Sequence, residues 1–141
     1  MEDLSVKTII IWRQKMTLEH IIILAFLLVL IQITTPVLIG LYSKNIKVSF
    51  LFSSRDENSD TSIYEDRANR ALKNLFETFP IFIGVVLLSI TKNVDNTSLA
   101  LFWLIARVIY IPVYVLGINY LRTGIWAVSL ISLILMSIKF L

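Results

Sequence analysis

Four long apolar segments, separated by polar breaks of unequal length, organise the chain. Residues 20–43 carry no charge over 24 positions, enough to cross a hydrocarbon core of about 30 Å at about 1.5 Å per residue. Thr34, Thr35 and Pro36 interrupt this run, which predicts a kink with hydroxyls taking up freed backbone groups. The other spans are predicted at about residues 66–91, 98–120 and 123–139, and the first at about 18–43. Residues 44–65 form the one long loop, rich in Ser, Asp, Glu and Asn, while the turns near Lys92 and around 119–124 are short. Short connections join antiparallel neighbours, so the pattern predicts an all-α, up-down four-helix bundle in one 141-residue membrane domain.

The second segment breaks the apolar pattern in an informative way. Its uncharged part, residues 78–91, is only 14 residues long. It crosses a membrane only if the turns before it also lie partly at membrane depth. Those turns read Arg67-Ala-Asn-Arg-Ala-Leu-Lys-Asn-Leu-Phe-Glu77. On a helix, Asp66, Arg67, Arg70, Lys73, Asn74 and Glu77 share one face, opposite Ala68, Leu72, Leu75 and Phe79. Charges at such depth are costly and face a bundle interior or a water-filled cavity.

Composition agrees with the pattern. Hydrophobic residues make up 57% of the chain and charged residues 16%, and mean hydropathy is +0.80, far from a soluble domain. There is no cysteine and one histidine, His20, which excludes disulfides, thiolate metal sites and a cysteine nucleophile. A net charge of +3 on so apolar a chain argues against nucleic acid. The run after Arg13 and Lys15 is too long for a signal-peptide core and reads as the first span. Residues 1–17, with Ile9, Ile10, Trp12 and Met16, read as an interfacial lead-in, and His20 as an interfacial residue. Lys7, Arg13, Lys15, Lys92 and Lys139 fall on one side, against Lys44, Lys47, Arg55 and Arg122 on the other. Adding Arg67, Arg70 and Lys73 to the second group tips the long loop towards the cytoplasm.

Two readings of the stripe stand side by side. Arg70, Lys73, Asn74 and Glu77 could bind a zwitterionic or polyanionic small molecule: guanidinium for carboxylates, carboxylate for an ammonium. Alternatively they form a buried network that locks helices, with Arg67 and Lys73 snorkelling to headgroups. In the third span Trp103, Arg107, Tyr110, Tyr114 and Gly117 fall on one face, and Pro112 and Gly117 allow bending or close packing. Arg107 needs a partner, and Glu77 is the acid clearly inside a span. An Arg107–Glu77 pair and a direct ligand contact are therefore both open. Arg122 and Trp126 open the fourth span as a snorkelling cation and an aromatic-belt residue, and Arg122, on the same side as the stripe, could instead share a cationic vestibule with it. No nucleophile triad, phosphate loop or metal spacing is present. Any nucleophile must come from a bound molecule.

The stretch from Glu65 to Phe82 resembles the second-helix signature of the MAPEG superfamily (membrane-associated proteins in eicosanoid and glutathione metabolism), in an R-A-x-R-A-x-x-N-x-x-E-x-x-P context. Ala106-Arg-Val-Ile-Tyr-Ile-Pro-Val-Tyr-Val-Leu-Gly117 and Tyr120-Leu-Arg-Thr-Gly-Ile-Trp126 resemble the bacterial branch, which is similar to microsomal glutathione transferases. The resemblance implies a homotrimer in a bacterial inner membrane with glutathione as cosubstrate, bound between subunits, and a lipophilic electrophile or lipid hydroperoxide as second substrate. It places Arg70, Lys73, Asn74, Glu77 and Arg107 at glutathione, and Arg122, Thr123 and Tyr114 near its thiol. Lys73 stands where many members have arginine, and Leu72 where eukaryotic members often have histidine. The competing functions are a noncatalytic protein binding a lipid or partner through the same groove, and a small transporter or channel subunit. A stripe confined to one end disfavours the last.

Overall fold

The computed structural model describes residues 16–44, 52 and 61–141. The lead-in around Trp12 and the loop around Arg55 and Asp56 lie outside the described residues. Four helices make up the fold: α1 (Leu18–Tyr42), α2 (Ile63–Lys92), α3 (Thr97–Leu116) and α4 (Asn119–Ile138). All four are long and apolar enough to cross a membrane, and among the described residues there is no strand.

A narrow seam on each helix holds the bundle together. On α1 it is Leu18, Ile21, Ala25, Leu28, Gln32, Pro36 and Gly40; on α2 it is Glu65, Ala68, Ala71, Leu75, Thr78, Phe82, Val86 and Ser89. Spacings of three and four keep each set on one face. Small residues on α2, Ala68 and Ala71, let its neighbours approach closely. Leu, Ile and Phe side chains outside the seams remain exposed, as befits helices whose outer surface meets lipid tails. The helices pack α3 on α4 and α1 on α2 most extensively, with α2 also against α3. Trp103 anchors the centre: it is fully buried and stacks on Phe82 at 3.7 Å and 9°.

Helix ends follow local chemistry. Thr17 caps α1 through a box in which its hydroxyl meets His20 Nδ1 at 2.7 Å, so His20 caps a helix as well as lying near an interface. Ser62 caps α2 by accepting from the Glu65 amide at 3.1 Å, which starts the helix at Ile63, three residues before the sequence pattern placed it. Through Pro36 α1 continues unbroken; the Thr34 and Thr35 hydroxyls both donate to Ile31 O, at 2.9 and 2.8 Å. The carbonyl that Pro36 leaves without its helical donor is that of Gln32, so the hydroxyls act one residue earlier than expected.

The last turn departs from the predicted one. The pattern placed it around 119–124, with α4 starting near 123, but α3 ends at Leu116 and α4 begins at Asn119. Gly117 takes the left-handed conformation at φ 79°, the Gly117 amide donates to Tyr114 O, and the Ile118 amide donates to Val113 O. This is a Schellman close, for which glycine is the favoured residue. Gly124 lies inside α4 instead. At the other membrane face Asn96, which is buried, donates to Ser89 Oγ at 2.9 Å and to Met136 O at 3.3 Å, tying the α2–α3 turn to the end of α4.

Candidate functional site

Contacts between α2 and α3 set an antiparallel register. Arg107 reaches Asn74 and Thr78, Phe82 stacks on Trp103, and Arg67 reaches Val115. Glu77 is therefore level with Arg107, nine residues from the end of α3, or about 14 Å at about 1.5 Å per residue. That is near the middle of the 20-residue helix.

Arg107 is 2% exposed. Its Nη1 donates to Asn74 Oδ1 and its Nη2 to Thr78 Oγ1, each at 2.7 Å. The guanidinium also sits 5.6 Å from the Trp103 ring and 5.5 Å from the Tyr110 ring, within cation–π range. No ion pair joins Arg107 to Glu77, which is exposed. Of the two readings left open, the ion pair is not formed: Arg107 has two neutral acceptors one helical turn apart on α2 instead. Nε of Arg107 has no hydrogen-bond partner among the described residues.

Asn74 gains a direction from this bond. With Oδ1 taken by Arg107, the group left to face outward is the amide NH2, a donor. It opens onto a cleft of about 230 Å³ lined by Asn74, Tyr110, Tyr114, Arg122, Thr123 and Trp126. Within it Tyr110 and Tyr114 meet edge to face at 5.3 Å, and the Arg122 guanidinium lies 4.9 Å from the Tyr114 ring. The Thr123 hydroxyl donates to Asn119 O at 3.2 Å, which commits its proton to its own helix. A cation, a primary amide and two phenols thus converge on one small space. Such a set stabilises an anion or an electron-rich sulfur.

The remaining stripe residues turn outward. Arg70, Lys73 and Glu77 are exposed at the surface of the single chain because Ala68, Ala71, Leu75 and Thr78 take the inward seam. Arg70, Lys73 and Glu77 flank Asn74 along the helix but are not among the residues that line the cleft. Arg67 is half-buried, and its Nη1 donates to Val115 O at 3.3 Å, beside the end of α3. Of the predicted site residues, Asn74, Tyr114, Arg122 and Thr123 come together in the cleft. Arg107 is bonded to Asn74, while Arg70, Lys73 and Glu77 are exposed and are not brought into the cleft. Thr78 as an acceptor for Arg107 was missed; Tyr110, placed on the same face as Tyr114, and Trp126, read as an interface aromatic, were left out of the predicted site and line the cleft. Thr78 follows Asn74 by four residues, and that spacing was the available signal.

Comparison with known protein families decides what this architecture belongs to. A family model of the MAPEG family matches residues 21–141. The chain belongs to the MAPEG family. The match spans all four helices, including both sides of the cleft. No curated protein and no solved structure matched it. As a MAPEG-family chain it is an integral, multi-pass membrane protein. Among the described residues no cluster of His, Cys, Asp or Glu suits a metal ion.

Proposed function

We propose that this MAPEG-family protein is a glutathione-dependent transferase or peroxidase of a bacterial inner membrane, acting on lipophilic electrophiles or lipid hydroperoxides. The observation that carries the reading is the convergence of Arg122, Tyr114 and the Asn74 amide on one cleft at the end of α2 where the cationic stripe lies.

Glutathione carries two carboxylates, an ammonium and a thiol, and these groups fit the residues present. Arg70 and Lys73 would meet carboxylates and Glu77 the ammonium, with Arg107 fixing the Asn74 amide behind them. The thiol would enter the cleft. A volume of about 230 Å³ falls below the 300–1,000 Å³ or so of a complete small-molecule pocket, so one chain supplies only part of the site. The rest would come from a second copy. A charge at helix centre costs about 2.5–3.5 kcal/mol when it faces lipid, and Glu77 is exposed at that depth. A homotrimer with glutathione between neighbouring subunits covers the stripe and completes the cleft.

Arg122 would hold the sulfur as a thiolate, lowering its pKa as a nearby guanidinium does, with the Tyr114 hydroxyl donating to the same atom. Thr123 ranks behind them because its proton is already given to Asn119. In transfer, the thiol proton passes to water. The sulfur then bonds to an electrophilic carbon as that carbon's bond to its leaving group breaks. In peroxide reduction, two glutathione molecules supply two electrons and two protons, giving the disulfide, the lipid alcohol and water.

Calorimetric titration of reduced glutathione into the detergent-solubilised protein, beside Glu77→Gln, tests the reading. Saturable binding that weakens about tenfold or more in the variant is expected, the scale of one lost charge-assisted bond. A well-folded wild type that binds no glutathione would leave a noncatalytic lipid- or partner-binding role in first place.

A further inference from the structure

The α3–α4 turn carries Tyr114 on one side and Arg122 on the other, so its geometry decides how these two groups meet the cleft. The last four carbonyls of a helix lack helical donors. At the end of α3 the Schellman bonds satisfy Val113 and Tyr114 from within the turn. Val115 O takes its donor from another helix: Nη1 of Arg67, 48 residues earlier in the chain. A cation at a helix C-terminus also complements the helix dipole.

Gly117 shows how closely the guanidinium is seated. A Cβ at position 117 would lie 2.6 Å from Arg67 Cζ and Nη1 and 2.7 Å from Nη2. The φ of 79° calls for glycine, and the guanidinium of Arg67 lies close over the face that glycine leaves open. The α4 backbone leaves this same turn, with the Arg122 amide donating to Ile118 O at 3.0 Å. Arg67 therefore braces the segment that sets the 4.9 Å approach of Arg122 to the Tyr114 ring.

We propose that Arg67 is a positioning residue: seated against Gly117 and bonded to Val115 O, it holds Tyr114 and Arg122 in register across the cleft without touching the ligand. Its consequence for catalysis rests on the glutathione reading above; its consequence for cleft geometry does not. Arg67→Lys keeps a charge but has no planar fork to fill the bay beside Gly117. Arg67→Ala empties it.

The experiment has two arms. In the first, protein labelled with 5-fluorotryptophan is compared by fluorine NMR as wild type, Arg67→Ala and Arg67→Lys, with resonances assigned by Trp→Phe replacement. Trp126 lines the cleft and Trp103 is buried in the core. The Trp126 resonance is expected to shift or broaden in both variants while that of Trp103 holds. An unmoved Trp126 in Arg67→Ala overturns the proposal, and equal changes at both reporters do so as well, by showing a general loosening. In the second arm, kcat and KM for glutathione are measured with an electrophile. In Arg67→Ala, kcat is expected to fall roughly 10- to 100-fold, the scale of a catalytic group displaced by about 1 Å, with KM within about twofold. A wild-type kcat in Arg67→Ala overturns the proposal. A wild type that does not bind glutathione instead removes the parent reading and leaves the NMR arm to decide Arg67.

Discussion

Replacing Thr78 by valine changes almost no volume but removes the hydroxyl that accepts from Arg107 Nη2 at 2.7 Å. Arg107 is 2% exposed and Nε is already without a partner among the described residues, so the variant leaves a second buried donor group of a cation unsatisfied. A hydrogen bond to a charged group contributes about 1.5–3 kcal/mol, so Thr78→Val should cost about 2 kcal/mol, a shift of roughly 30-fold in the folded-to-unfolded ratio. The Thr78 hydroxyl has its own fallback: it also lies 3.3 Å from Leu75 O. In an Arg107→Met background, where no cation needs the hydroxyl, the same change should cost about 0.5 kcal/mol or less. The difference, about 1.5 kcal/mol, is a coupling energy of the size expected for residues in one buried network. Unfolding by SDS titration in mixed micelles, followed by helical circular dichroism across the four-variant cycle, measures it. Equal costs for Thr78→Val in both backgrounds would show that Arg107 is satisfied some other way, and the account of Asn74 orientation would fall with it.

Two further outcomes follow from the same contacts. Asn96→Ala removes both of its bonds, to Ser89 Oγ and Met136 O, and should destabilise the bundle by about 1–3 kcal/mol in the same titration, with glutathione affinity unchanged. Trp103→Ala empties the stack on Phe82 and should cost about 3–5 kcal/mol. Trp103→Phe should cost much less in the same assay, because the indole Nε1 has no partner to lose among the described residues.

Much of this molecule was legible in apolar runs and helical spacing, and most of the exceptions share a cause. The spans and the polar face of α2 follow from residues close in sequence. Glu77 was weighed as a partner for Arg107, beside a ligand, because formal charge draws attention to acids. Inside a membrane two neutral acceptors four residues apart serve equally well, and they lay on the inward side of α2. Which side of the stripe faced inward depended on Ala68 and Ala71 packing against neighbours, a tertiary matter. The end of α3 was misplaced because Gly117 was read as a point of bending or close packing, whereas it closes the helix in the Schellman turn that glycine favours. Trp126 read as a membrane-interface aromatic, and only the crossing of α3 and α4 puts it beside Tyr110 in the cleft.

The central claim is that the cleft holds a glutathione sulfur as thiolate beside Arg122. Ultraviolet difference absorbance of the thiolate, recorded as reduced glutathione saturates the protein across a pH series, tests it most directly. The account predicts a thiolate band in wild type well below the pH at which free glutathione ionises. It also predicts that Arg122→Ala, still saturated with glutathione, moves that transition back up by about one pH unit or more, the equivalent of about 1.4 kcal/mol. A bound glutathione that ionises at the same pH in both proteins would contradict it.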